Sequence, residues 1–194
     1  SLSLAQLHEM IDANERIKYD TRNRNLLKTR NALLLKFLYL TAARRSEAAN
    51  LKWEDLQQDG EFQVVILQQT KSGEPQKLKL RRELFEELEC WNETLKTNQI
   101  ECEWVFPSLS FRTLGGKMSG KGVNDVVSKL GSAIGLKISA HYLRHTAITL
   151  ALELGEPLQK VQSYARHASA NTTIRYFHDQ QFLEKNPTDR LPMI

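Results

Sequence analysis

One stretch constrains the fold more than any other. In NRNLLKTRNALLLKFLYLT, residues 23–41, Leu27, Leu34, Phe37, Leu38 and Leu40 give enough apolar surface for a buried helix ending near Thr41. Such a helix is a core element and carries no functional signal, but it needs partners to cover it. Ser3 followed by Gln6 reads as an N-cap and its reciprocal partner, and the apolar spacing of LAQLHEMI predicts a first helix near residues 4–16. SEAANL reads as a short helix, and EFQVVILQQ and EPQKLKL flank KSG as a hairpin or small sheet whose turn Gly73 relieves. Helix returns in RRELFEELECWNETLK, while Pro107 and the glycines from Gly115 to Gly122 mark an irregular crossing. VNDVVSKLGSAI, SAHYLRHTAITLALELG, PLQKVQSYA and NTTIRYFH then follow as helix upon helix. With 194 residues and 41% hydrophobic content, the chain can bury the core of one domain. The expected fold is mainly α with a small antiparallel β-sheet, a domain over residues 1–179 and a polar tail at 180–194.

Charge and cysteine content narrow the function classes. A formal charge of +4, from 27 Lys+Arg against 23 Asp+Glu, permits a polyanionic partner, with local clustering mattering more than the total. Cys90 and Cys102 are the only cysteines and lie in no CxxC arrangement, so neither a disulfide framework nor a thiolate zinc site is indicated. No segment has the unbroken apolar length of a membrane span, and the start SLSLAQLHEMI lacks the regions of a secretory signal. A cytoplasmic setting is expected, nucleoid-associated when DNA is bound.

Six scattered side chains carry the chemistry: Arg44, Lys71, His141, Arg144, His167 and Tyr176. Arginine forks match phosphate oxygens, lysine and histidine move protons, and a phenol can form a covalent bond to phosphorus. The best local constellation is HYLRHTAITLALELG. In a helix, His141 and Arg144 project to neighbouring points on one face, with Leu143, Ala147, Leu150 and Leu154 as a core-facing stripe. Each residue also has a plainer use. Arg44 could pair with Glu47, Lys71 could be a solvated turn residue, and His141 a capping histidine. Arg144 could be a salt-bridge residue, His167 a helix cap, and Tyr176 a packed ring. His145 stands four residues after His141, but no HExxH glutamate or third ligand accompanies it, so a structural role is expected.

The order of motifs resembles the tyrosine recombinase and phage integrase family. TAARRSEAANLKW resembles its first arginine box, HYLRHT its HxxR box and ARHASANTTIRY its terminal histidine-to-tyrosine motif, with TKSG between them in the family order. The resemblance runs from about Leu4 to Phe182 and implies the catalytic-domain fold of that family. It implies Arg44 as the first catalytic arginine, Lys71 as the hairpin lysine, His141 and Arg144 as the second pair, His167 as the late histidine and Tyr176 as the nucleophile. Glu47 matches an acidic residue that supports the site. Ala42 stands where a glycine is common after the threonine, expected as a packing variation. Arg166 replaces the glycine that commonly precedes the late histidine, and so alters a helix boundary or adds a phosphate contact.

The resemblance also implies a reaction: DNA is cut and rejoined through a phosphotyrosyl-DNA intermediate, with no cofactor and no metal. Tyr176 attacks phosphorus, and its ordinary pKa near 10 requires proton removal, for which His141 is the candidate base unless it holds phosphate charge instead. Arg44 and Arg144 bracket nonbridging oxygens where charge grows, Lys71 protonates the departing sugar oxygen, and His167 hydrogen-bonds phosphate. The implied partner is double-stranded DNA. The implied assembly is a homo-tetramer on paired sites, monomeric when isolated, with a separate N-terminal DNA-binding domain in the full protein.

Overall fold

The computed structural model describes residues 1–68 and 74–166. Among these residues, seven α-helices and a three-stranded sheet follow one another: α1 (Leu4–Arg16), α2 (Arg24–Thr41), α3 (Arg45–Ala49), β1 (Leu56–Asp59), β2 (Phe62–Leu67), β3 (Gln76–Leu80), α4 (Arg82–Thr97), α5 (Gly120–Ala133), α6 (Ala140–Glu153) and α7 (Leu158–Ala165). This is the mainly α architecture with a small antiparallel sheet that the sequence predicts.

Helix α2 is the axis of the fold, touching α1, α3, α4, α5, α6 and β3. Leu34, Phe37 and Leu38 have no exposed surface, and Leu33 and Leu35 are nearly as deep. At about 1.5–3 kcal/mol for each large side chain removed from water, this one helix anchors much of the core. Leu27 and Leu40 are only partly buried, packing on the core margin. Helix α1 begins where its cap dictates: the Gln6 N–H donates to Ser3 Oγ (3.2 Å) and the Ser3 N–H to Gln6 Oε1 (2.9 Å).

The sheet is a meander in the order β1-β2-β3, with both pairs antiparallel. Pairing of Leu67 with Gln76 gives the expected hairpin, whereas its turn, with Lys71 and Gly73, lies outside the described residues. Strand β1 is not among the predicted elements, because LQQD lacks β-branched and aromatic residues. Its signal is the turn: Asp59 pairs with Phe62 across Gly60–Glu61, and Gly60 adopts φ 61°, open to glycine at little cost.

Two expectations are corrected. Gly120 and Gly122 do not belong to an irregular crossing but to the first turn of α5, which starts three residues before VNDVV because Ser119 Oγ caps the Gly122 N–H at 3.0 Å. The stripe on α6 also ends early: Leu143 and Ala147 are buried, Leu150 is partly exposed and Leu154 is 84% exposed. The buried side of α6 instead continues through Ile148 and Leu152, which join Ala42, Ala147, Val161 and Ala165 in a small cluster beneath α7. Three alanines in that cluster let α2, α6 and α7 approach closely. The expected helix NTTIRYFH and the tail 180–194 lie outside the described residues.

Candidate active site

The site is built around the end of α2, where the last carbonyls of a helix have no partner within it. The chain leaves the helix at Ala42 in a left-handed conformation, φ 48°. Donors from distant segments take up the freed carbonyls. Tyr164 Oη lies 3.2 Å from the Tyr39 carbonyl oxygen and 3.0 Å from that of Leu40. Arg166 donates to Thr41 (3.1 Å) and Ala42 (3.0 Å), and Arg144 Nη1 also donates to Ala42. Cations suit this position, since a helix C-terminus carries partial negative charge. Ala42 is therefore no mere packing variation: it stands in a left-handed conformation that glycine adopts at less cost, and this chain places a β-carbon in it.

Arg144 differs from its expected setting. It does not lie on an exposed face beside His141 but is buried, only 3% exposed, with Nη2 donating to the Ala165 carbonyl while Nη1 holds Ala42. It is a strut from α6 to the ends of both α2 and α7. Tyr164 is equally committed, and burial raises its phenol pKa well above the ordinary value.

Glu47, on α3, organises the neighbouring arginines. Its carboxylate is buried, accepting the Arg44 N–H at Oε2 (2.7 Å) and Arg44 Nη1 at Oε1 (2.7 Å). Arg166 Nη2 adds a second ion pair to Oε2 at 2.8 Å. The Arg44 side chain keeps 27% of its surface exposed, whereas that of Arg166 keeps 3%. Burial lowers the pKa of Arg166, against the opposing pull of Glu47. The C-cap of α7 falls on Arg166 itself, at φ 54°. It thus marks a helix boundary, as expected, but its fork turns inward onto Glu47 and the α2 carbonyls, so a phosphate contact is not its role in this geometry.

Arg44, His141 and Arg144 line one cleft of about 490 Å³, together with Arg45, Ser46, Asn124 and Ser139. Among the described residues no carboxylate lines it. Its wall is held by Asn124 of α5, whose Oδ1 accepts the Ala140 N–H at 3.0 Å, and by Ser139, the N-cap of α6. The positive end of the α6 dipole therefore opens into the cleft beside His141. His141 is exposed at this rim, its ring edge-on to His145 at 5.0 Å. Burial, then the nearby His141, lowers the pKa of His145. Arg45 is exposed and packs along Gly120. A concave surface with three guanidinium groups, an imidazole and a helix N-terminus is suited to a phosphodiester-sized oxyanion.

Of the six predicted residues, the fold brings Arg44, His141 and Arg144 together from α2–α3 and α6. Lys71, His167 and Tyr176 lie outside the described residues; His167 directly follows Arg166 in sequence. Asn124, and the inward work of Tyr164 and Arg166, escaped sequence reading, because each acts through carbonyls or amides more than a dozen residues away. Among the described residues no group of three or more His, Cys, Asp or Glu side chains converges.

The model of the phage integrase family matches residues 2–182, nearly the whole chain. The chain belongs to the phage integrase family. It is 31% identical over 173 residues to a tyrosine recombinase of Synechococcus elongatus, covering 87% of this chain and 53% of the relative. It is 33% identical over 147 residues to the tyrosine recombinase XerA of Pyrococcus horikoshii, covering 76% of this chain and 50% of that one. The chain spans about half the length of these integrase-family relatives. Among solved structures, XerH site-specific recombinase bound to palindromic difH substrate, a post-cleavage complex, superposes with a TM-score of 0.75 at 25% identity, over 94% of this chain and 51% of that one. A XerA recombinase structure shares the fold with a TM-score of 0.73 at 22% identity, over 100% and 64%.

Proposed function

We propose that this chain carries out site-specific DNA cleavage and rejoining through a covalent bond between Tyr176 and a DNA phosphate. The observation that carries this reading is the cleft, free of carboxylates among the described residues, that gathers Arg44, His141 and Arg144 from sequence positions about 100 residues apart, in a member of the phage integrase family. The scissile phosphate sits in the cleft, where Arg44 and Arg144 meet the charge that grows on its nonbridging oxygens. Tyr176 Oη forms a bond to phosphorus as the bond to the 5′-oxygen breaks. The phenolic proton passes to a base, for which His141 stands at the rim, and Lys71 protonates the departing 5′-oxygen. Rejoining reverses these steps with a DNA 5′-hydroxyl as the attacking group, so the energy of the broken bond is kept in the phosphotyrosine and no nucleotide is consumed. Double-stranded DNA is the partner. Four copies act on two sites, and a separate N-terminal module completes the grip on the duplex.

Covalent capture tests this reading. The 194-residue chain is incubated with a library of nicked duplexes of randomised sequence, in which loss of a short fragment traps the intermediate. A protein-DNA adduct that survives denaturation and maps to Tyr176 is expected, and sequencing the trapped DNA gives the preferred site. The adduct forms equally well in EDTA at fixed ionic strength, because the positive charge at phosphorus comes from side chains. Adduct formation that stops in EDTA and returns only with Mg²⁺ or Mn²⁺, with bound DNA unchanged, would overturn the mechanism.

The role of Lys71 is separable. Lys71→Ala slows cleavage by about 10²- to 10⁴-fold, the usual contribution of a positioned acid. A bridging 5′-thiolate, which leaves without a proton, recovers most of that rate. Equal impairment on oxygen and sulfur substrates rules out proton donation by Lys71.

A further inference from the structure

Arg166 occupies a position that glycine would fill with less strain. Its φ of 54° lies in the left-handed region, unfavourable for a side chain, and its guanidinium is buried, with Nε lacking any hydrogen-bond partner among the described residues. What the residue gains in return is a set of contacts in one small volume. Nη1 reaches the carbonyls of Thr41 (3.1 Å) and Tyr164 (3.2 Å), and Nη2 reaches the Ala42 carbonyl (3.0 Å) and Glu47 Oε2 (2.8 Å). The backbone carbonyl of Arg166 in turn faces Arg44 Nη2 at 3.4 Å. One side chain thus joins the end of α7, the end of α2 and the carboxylate that holds Arg44.

Charge explains why this matters. Glu47 Oε2 already accepts the Arg44 backbone N–H, and its remaining lone pair would otherwise draw the Arg44 fork into a bidentate grip on the buried carboxylate. Arg166 engages Oε2 from the inner side, so Arg44 meets Glu47 through Nη1 on Oε1 and stays at the cleft surface. Two arginines against one carboxylate also leave an excess of positive charge beneath the cleft. Arg166 further fixes the point from which the chain runs on to His167.

We propose that Arg166 is a positioning residue for strand cleavage: it pins Glu47 and the α2 carbonyls from inside, so that Arg44 presents its guanidinium to the scissile phosphate. This rests on the strand-cleavage reading above.

The test uses the 194-residue chain and the nicked duplex that the wild-type protein captures. Arg166→Gly removes the latch and supplies the residue best suited to φ 54°; Arg166→Lys retains one charge without the fork. At saturating duplex, single-turnover adduct formation by Arg166→Gly is expected to fall about 10- to 100-fold, the range for losing a group that orients a directly acting side chain. Noncovalent binding of the duplex should be unchanged, and Arg166→Lys should fall between the two. Added guanidinium ion should restore part of the Arg166→Gly rate by filling the vacated space beside Glu47, an effect that a merely structural role would not give. Wild-type cleavage by either variant overturns the proposal, as does a loss that disappears at saturating duplex or one that neither guanidinium nor Arg166→Lys relieves. If Arg166→Gly does not fold, Arg166→Lys decides alone: slower cleavage at saturation supports the proposal and the wild-type rate overturns it. An adduct from the wild-type chain with unaffected variants removes this proposal only; no adduct from the wild-type chain removes the strand-cleavage reading and this proposal with it.

Discussion

Tyr176→Phe is expected to abolish the covalent protein-DNA adduct while leaving noncovalent DNA binding at the wild-type level. The substitution deletes the one oxygen that can bond to phosphorus and keeps the ring, so the loss is chemical and not steric. Five tyrosines are present in the chain, and their settings make the assignment open to a sharp check. The Tyr164 hydroxyl is committed to the carbonyls of α2, and burial pushes its pKa up, so attack by it would require breaking the end of α2. Tyr19 is tied to Asn14 and Asn31 far along α1 and α2, and Tyr39 is half-buried with a raised pKa. Tyr142 is the serious rival, 39% exposed on α6 next to His141. Peptide mapping of the trapped adduct separates the two. An adduct on Tyr142, or one that persists in Tyr176→Phe, would sink the assignment of the nucleophile.

Local signals carry most of the fold. The reciprocal cap of Ser3 and Gln6 places the start of α1, and the apolar run through Leu34, Phe37 and Leu38 places the central helix, because both depend on residues within a few positions of one another. Where a decision depends on a partner far away, the sequence is silent. Strand β1 exists because Leu56–Asp59 can pair with a buried neighbour, and only its Asp-Gly turn betrays it. The family order of boxes singles out Arg44, His141 and Arg144 as candidates, but does not say that Arg144 is buried, since this follows from α2 ending in a left-handed residue with bare carbonyls. The same cause explains Arg166. As a letter in ARHASANTTIRY it reads as either an altered helix boundary or an extra cation for phosphate, whereas in the fold it ends α7 and is an internal latch on Glu47.

Replacing Arg144 or Arg44 with lysine is expected to slow cleavage to a similar degree but to affect stability very differently. Either change keeps one positive charge and loses the planar fork, so stabilisation of the phosphorus transition state should fall by roughly 10²- to 10³-fold, the size of effect seen when one oxyanion donor is removed. Stability divides the two. Arg144 bridges the carbonyls of Ala42 and Ala165, both fully buried, with separate nitrogens of one fork. The Ala42 carbonyl keeps Arg166 Nη2 at 3.0 Å in either case, but a lysine ammonium held at Ala42 leaves the Ala165 carbonyl without its Arg144 donor, at a cost of about 1–3 kcal/mol. At roughly 2–4 °C per kcal/mol for a chain of this size, Arg144→Lys should lower the melting temperature by several degrees. Arg44 is partly exposed, and its backbone N–H, which a lysine retains, makes one of its two contacts to Glu47. Arg44→Lys should therefore melt close to the wild type while cleaving as poorly as Arg144→Lys. Thermal melting and single-turnover cleavage at saturating duplex, measured on both variants, decide the matter. Near-normal cleavage by both would remove the arginines from the chemistry, and equal melting temperatures would mean that the Arg144 strut between α2 and α7 does not hold the fold together.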